Sequence, residues 1–391
     1  MPDDITPARQ IVESEIRGNG PITFAHFMEI ALYGEHGYYT SSVSAGADYA
    51  TSPQMHPAFG ALIAGYLLKA WETLGEPGMF DVVELGAGDG ALAQDVQDTV
   101  ARVQESNDRR AQFSEALRYY AFDIRPRGSA RDVDELPSFE SVVGCVISNE
   151  LLDAFPAHVF TVRNRKVLEC YVGFRDTSEL AFVEGEPSSY QIVDRVGDFV
   201  SRLPDGYRGE VNLGLDAWAK RVAGLLGRGY VLTIDYGHER DNLYHRLRYE
   251  GSLRCYRDHV LGQNPFRDIG LQDITSHVDF TAVDEVLNAV GFERKTELKS
   301  QRDFLFDLGI GEYLRRVREA FVSRQREMDV GLQNRELRSL NSLVDTRGLG
   351  NFRVAQHRRG APEIDLAGLE TAPVYGDPLS RPRHLSSIPY D

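Results

Sequence analysis

Cysteine is scarce in this chain. Three residues, Cys145, Cys170 and Cys255, lie far apart among 391. Their odd number and wide spacing exclude a disulfide framework, and they fit no zinc-ligand pattern. Buried reduced thiols are their ordinary role, which points to a reducing compartment. Positive charge is short as well: 43 Lys and Arg stand against 59 Asp and Glu, a net charge of −16. Such a surface repels phosphate backbones, which argues against nucleic acid as a partner, and it attracts Arg- or Lys-rich segments. No apolar run approaches the roughly 20 residues that a membrane span needs. The opening MPDDITPARQ has acids and no apolar core, unlike a signal peptide, and lacks the Arg/Ser-rich look of a transit peptide. Together these features lead us to expect a soluble, cytoplasmic protein with no membrane partner. Ligand spacing for a metal is missing too. His238, His245, His259 and His277 cluster only loosely, with no HxxxH, so no metal is expected. Most of these histidines read as structural, with His238 the candidate proton acceptor.

What is present falls into segments. Residues 1–78 read as helical, with Thr23 capping a face made of Phe24, Phe27, Met28, Ala31 and Leu32. Ser52-Pro53 opens a longer helix in this reading, and "GEPG" closes the segment. Between 79 and 240, strand and helix patterns alternate. "MFDVVEL", "LRYYAFD", "VVGCVIS" and "GYVLTIDYG" are buried strands, and "AHVFTV", "KVLECYVGF" and "LAFVEG" form a meander. The alternation predicts an α/β fold, a Rossmann-like doubly wound sheet. Residues 241–360 read as an insertion, a helical substrate-side subdomain over about 304–343 and a final strand "NFRVAQH"; 361–391 is an extended tail. The arginines of that helical stretch read as a solvated face.

The strand "VVELG" runs into Gly86-Ala87-Gly88-Asp89-Gly90-Ala91. Glycines at a strand-to-helix junction let a ligand approach the backbone and meet free N–H groups. The same spacing also fits a dinucleotide loop, or an empty turn. A dinucleotide site wants an acid at a strand end about 20 residues on. Here the first such acid is Asp123, 33 residues past Gly90. Glu84, two places before the first glycine, instead suits the ammonium of S-adenosyl-L-methionine. Asp123, an acceptor with two oxygens, suits the ribose hydroxyls, and Ile124 follows it.

"CVISNELLDAFP" ends an apolar strand in Asn149, Glu150 and Asp153. It reads either as a solvated turn stopped by Pro156 or as an acceptor site. If the latter, two carboxylates suit a guanidinium, which is planar and permanently charged, better than an amine or hydroxyl.

Several stretches occur in one order: "GPITFAHFM", "GYY", "DYATSP", "VELGAGDG", "SNELLDAFP", "DYGH", "SLRCYRDH", "DITSHVDF" and "FRVAQ". In this the chain resembles the MidA-like S-adenosyl-L-methionine-dependent methyltransferases from about Gly20 to Gln356. That group includes a mitochondrial complex I assembly factor with protein arginine methyltransferase activity. The resemblance implies a class I methyltransferase sheet with helical and C-terminal additions, and S-adenosyl-L-methionine as cofactor. It implies that Thr51, Ser52 and Pro53 fold over the pocket, and that Tyr236, Gly237 and His238 close the acceptor side. It implies an arginine acceptor in a protein, gripped by Glu150 and Asp153. A small-molecule acceptor and a non-catalytic assembly factor are the alternatives, and a homodimer is one assembly open to the chain. Two departures stand out. Gln54 replaces a glutamate of the family pattern, and Ala47-Asp48-Tyr49 replaces Gly-Asp-Phe. The stretch from Asp123 to Val142 is also too short for a full crossover helix and strand, so a truncated third strand is expected.

Overall fold

The computed structural model describes residues 6–40, 51–103, 108–135, 142–176, 178–257, 260–323 and 330–369. It divides the chain into two compact units. One takes the described residues of 50–151, 220–236 and 287–391, the other those of 1–49, 152–219 and 237–286. This differs from the four consecutive segments expected from the sequence. The expected N-terminal segment is split near residue 50, and the expected insertion and helical subdomain near residue 286.

The first unit is built on a seven-stranded sheet. Its strands, in chain order, are β1 (Phe80–Leu85), β2 (Leu117–Asp123), β3 (Arg131–Asp132), β4 (Val142–Asn149), β5 (Leu226–Asp235), β6 (Lys299–Ser300) and β7 (Arg353–Arg359). The order across the sheet is β6-β7-β5-β4-β1-β2-β3. β5, β4, β1, β2 and β3 run parallel, while β7 runs antiparallel to β5 and β6 antiparallel to β7. Every residue of β1 is buried, as a central parallel strand covered on both faces requires. Its Asp81 is held by a forked pair of bonds from Arg118 on β2, at 2.5 and 2.7 Å.

The helix Ala58–Thr73 exposes little besides Lys69, Glu72 and Thr73. Its Trp71 shares a core with Phe80, Phe113, Phe304 and Tyr313. Burial of each such side chain contributes about 1.5–3 kcal/mol. The helix expected to start at Ser52 is in fact two. Ser52–Met55 ends at His56, which is extended, and Pro57 precedes the longer helix. The residue before a proline is pushed out of the helical region, which accounts for the break.

Between Asp123 and β3 there is no helix, and β3 has two residues followed by a 3-10 turn, Val133–Glu135. The third strand is thus truncated. A helix not expected from the sequence, Asp108–Ala116, leads into β2. Of the expected tail, 361–369 is described, and its start is tied down. Tyr230 donates to the Pro362 carbonyl, and Ile364 is buried. Residues 370–391 lie outside the described residues, as do Ala47-Asp48-Tyr49 and His259.

The other unit carries the meander His158–Arg163, Lys166–Phe174 and Leu180–Gly185. It is a separate antiparallel sheet, extended by Ile22–Thr23 and Arg208–Val211. Asn164 and Arg165 both have positive φ, the two-residue turn that matches strand twist. Thr23 caps the following helix, accepting from the His26 N–H as its spacing requires. Among the described residues no helix is long and apolar enough to cross a membrane.

Candidate active site

In the first unit the connections run outward in one direction from β1 and in the other from β4. Ligands in open parallel sheets bind beyond the strand ends at such a switch point. Leu85 pairs with both Ser148 and Phe122, and Ile234 pairs with Asn149. The loops after β1, β2, β4 and β5 therefore leave the same edge side by side.

After β1 come Gly86, Ala87, Gly88 and Gly90. The three glycines have φ of 76°, 58° and 77°, a region where side chains are strained. A side chain at Gly86 would strike Leu151, two residues past β4, while one at Gly88 would enter open space. The glycine turn and the Glu150 corner thus adjoin. Asp89 accepts the Ala91 N–H at the first residue of the next helix, at 3.0 Å. Asp123, ending β2, accepts the N–H of Gly88 and that of Arg125, each at 2.9 Å. Burial raises its carboxyl pKa. Ile124 beside it is 51% exposed.

Glu84 is buried, and Tyr119 donates to its Oε2 at 2.9 Å. Its pKa is pushed up to about 8, chiefly by burial. Asp89 and Asp123 add to the rise and the Tyr119 bond opposes it. A carboxyl in that state gains most from a cationic ligand group.

Glu150 follows β4 at φ 52°. For a residue with a side chain this costs about 1–2 kcal/mol. Its N–H donates to Ile234 O at 2.8 Å, and its Oε1 accepts from the Ser52 N–H at 3.0 Å and from Asn149 Nδ2 at 3.1 Å. The buried carboxylate of Asp235, ending β5, accepts the N–H groups of Leu151 and Tyr236 and splints this corner. Ser52 is buried and donates to Gln301 Oε1 at 3.1 Å, with Pro53 buried beside it and Thr51 bonded to Gln54.

Sequence reasoning missed Tyr119, Asp235 and Gln301. Asp235 had a signal, an acid at the tip of a parallel strand. Tyr119 and Gln301 had none, because each depends on strand register or on packing.

Asp153 and His238 belong to the other unit. Asp153 is buried, and its carbonyl accepts the Ser276 N–H. His238 does not fit its expected role as proton acceptor. Its Nε2 accepts from the Arg248 guanidinium at 2.7 Å, so that nitrogen already holds a permanent donor. Its ring lies 5.5 Å from that of His277, whose pKa is pushed down to about 3 by burial and by nearby positive groups. Among the described residues no group of three or more His, Cys, Asp or Glu could hold a metal.

Residues 62–297 match the family model described as "Putative S-adenosyl-L-methionine-dependent methyltransferase". The chain belongs to this MidA-like methyltransferase family. Its sheet is the class I Rossmann-like form, and S-adenosyl-L-methionine is its cofactor. The mitochondrial protein arginine methyltransferase NDUFAF7 homolog of Caenorhabditis elegans is 25% identical over 385 residues, 89% of this chain and 85% of that protein. The human mitochondrial protein arginine methyltransferase NDUFAF7 is 23% identical, over 91% of this chain and 85% of that one. A Burkholderia thailandensis structure bound to S-adenosyl-homocysteine, described as a "likely methyl transferase", superposes with a TM-score of 0.76. It is 26% identical and covers 92% of this chain and 93% of that one. The cytoplasmic location expected from the sequence is overturned by the curated relatives, which are named as mitochondrial. That expectation rested on features the methyltransferase sequence lacks, and these do not set an address.

Proposed function

We propose that this methyltransferase acts on an arginine guanidinium of a protein substrate, with Glu150 as the acceptor-side carboxylate. The observation that carries the reading is the fixed position of Glu150. Two donors hold its Oε1 beside the glycine loop, at the switch point of the sheet. The names of the relatives support the acceptor class. A net charge of −16 suits basic segments.

Bound at the glycine loop, S-adenosyl-L-methionine supplies an electrophilic methyl on a sulfonium, with a neutral thioether as leaving group. Glu84 would take the ammonium of the methionine half, and Asp123 would accept from the ribose hydroxyls. The backbone of Gly86, Ala87, Gly88 and Gly90 would lie against the cofactor, with Ile124 as an adenine-side candidate and Thr51, Ser52 and Pro53 as the candidate covering turn. Asn149 holds the Glu150 carboxylate through its Nδ2 bond to Oε1. Glu150 fixes the guanidinium and receives its proton as the new N–C bond forms. Asp153, the second acid of the same sequence motif, is a separate candidate tested by its own variant.

The test follows the methyl label. Cofactor carrying labelled methyl is incubated with the enzyme and fractionated lysate, and labelled protein is digested to locate methylarginine. Label confined to small molecules would favour a small-molecule N- or O-methyltransferase instead. Glu150→Gln is expected to leave S-adenosylhomocysteine affinity nearly unchanged and to cut turnover about a hundredfold or more, the size of a lost general base. Equal loss of both would move Glu150 to the cofactor side. Asp153→Asn is assayed in parallel.

A further inference from the structure

One short turn touches both halves of the candidate site. Gln54 Oε1 accepts the Thr51 N–H at 3.3 Å, and Gln54 Nε2 donates to Asp89 Oδ2 at 3.4 Å. The other oxygen of Asp89 is committed to the Ala91 N–H behind the glycine loop. In the same turn, the Ser52 N–H donates to Glu150 Oε1, and Ser52 Oγ is anchored on Gln301. Gln301 is fully buried and is itself bonded to the Leu343 and Phe352 carbonyls. The turn is thus fixed at one end and reaches the glycine loop through the Gln54 side chain.

We propose that Gln54 is a positioning residue for the cofactor loop, latching the 51–55 turn to Asp89 so that one element orders both the glycine loop and Glu150. An uncharged amide suits this joint. It accepts at one end and donates at the other, and it adds no charge. A carboxylate at position 54 would keep the bond to Thr51 but has no hydrogen to give Asp89. It would also place a further negative charge where Asp89 and Asp123 already act on Glu84. The pair can be exchanged without loss. With Glu at 54 and Asn at 89, the Asn oxygen still accepts the Ala91 N–H, and its NH2 donates to the Glu. The proposal rests on the cofactor sitting on the glycine loop.

The experiment measures S-adenosylhomocysteine affinity by calorimetry for the full chain, Gln54→Glu, Asp89→Asn and the double variant, with a ligand-free thermal midpoint for each. Each single variant is expected to bind about tenfold more weakly, the size of one lost charge-assisted bond. The double variant should return to within about threefold of the parent. Thermal midpoints should stay together, because the joint acts on the loop and not on the core. Single variants that bind like the parent, or a double variant as weak as the singles, would overturn the latch. If a single variant fails to fold, the double variant still decides: parental affinity supports the exchange and weak binding refutes it. Failure of the parent chain itself to bind would instead overturn the seating of the cofactor.

Discussion

Glu84 stands next to last in β1, with its carboxyl out of water beside Tyr119 and near Asp89 and Asp123. Its pKa of about 8 against an ordinary 4.5 means that the ligand-free protein holds a proton there at neutral pH. An ammonium placed against it favours the ionised form, so binding should release protons. S-adenosylhomocysteine titrated at pH 7 in two buffers of different ionisation enthalpy should give apparent enthalpies that differ, by up to one proton released per site. Identical enthalpies would mean that Glu84 does not meet the ammonium. Folding stability carries the matching signature. The folded carboxyl holds its proton more tightly than the unfolded one, so this contribution is full below pH 4.5 and is lost as pH rises through about 8. Glu84→Gln should flatten that fall. The residue was legible as a candidate because an acid two places before a glycine turn is a local pattern. Its protonation was not, because the burial that raises its pKa comes from how the neighbouring strands and helices pack around β1.

At the scale of elements, the Ala58–Thr73 and Ala91–Val103 helices cross closely where Gly60 faces Asp95. A Cβ built on Gly60 would lie 2.4 Å from the Asp95 Cβ. Helix propensity alone makes Gly60→Ala favourable by about 1 kcal/mol. Overpacking of about 1–3 kcal/mol opposes it and should win, because the obstructing atom is the first carbon of a side chain and not a flexible tip. Urea unfolding should therefore show a lower midpoint for the variant with an unchanged slope. A higher midpoint would show that the helices can part without loss. The strands were readable for a related reason. β1 and β4 are buried, largely apolar runs bounded by turn residues, and those runs persist whatever packs on them. The truncated β3 was readable from chain length alone. The break at His56-Pro57 had a signal in the proline but was outweighed by the apolar period on either side. The sheet that owns the meander was not readable, because alternation fixes a strand and not its partners.

At the scale of the whole molecule, the chain passes between its two units five times, and two of the crossings follow the tips of β4 and β5 at 151–152 and 236–237. Consecutive sequence domains cannot describe such a path, which is where the expected segments and the two units differ. Net charge does not depend on the path. At −16 it acts on any partner of the folded chain. If the acceptor is an arginine in a basic segment, encounter is steered by that charge and weakened by salt. Raising ionic strength from about 0.01 to about 0.15 M shortens the screening length from about 30 to about 8 Å. KM for an arginine-containing basic peptide should then rise several-fold, while kcat, set by groups already in contact, stays level. The affinity for S-adenosylhomocysteine should move less, because its ammonium and carboxylate largely cancel. A KM indifferent to salt would count against a basic peptide as the acceptor and leave the methyl donor site untouched, since the two ligands are read by separate charges.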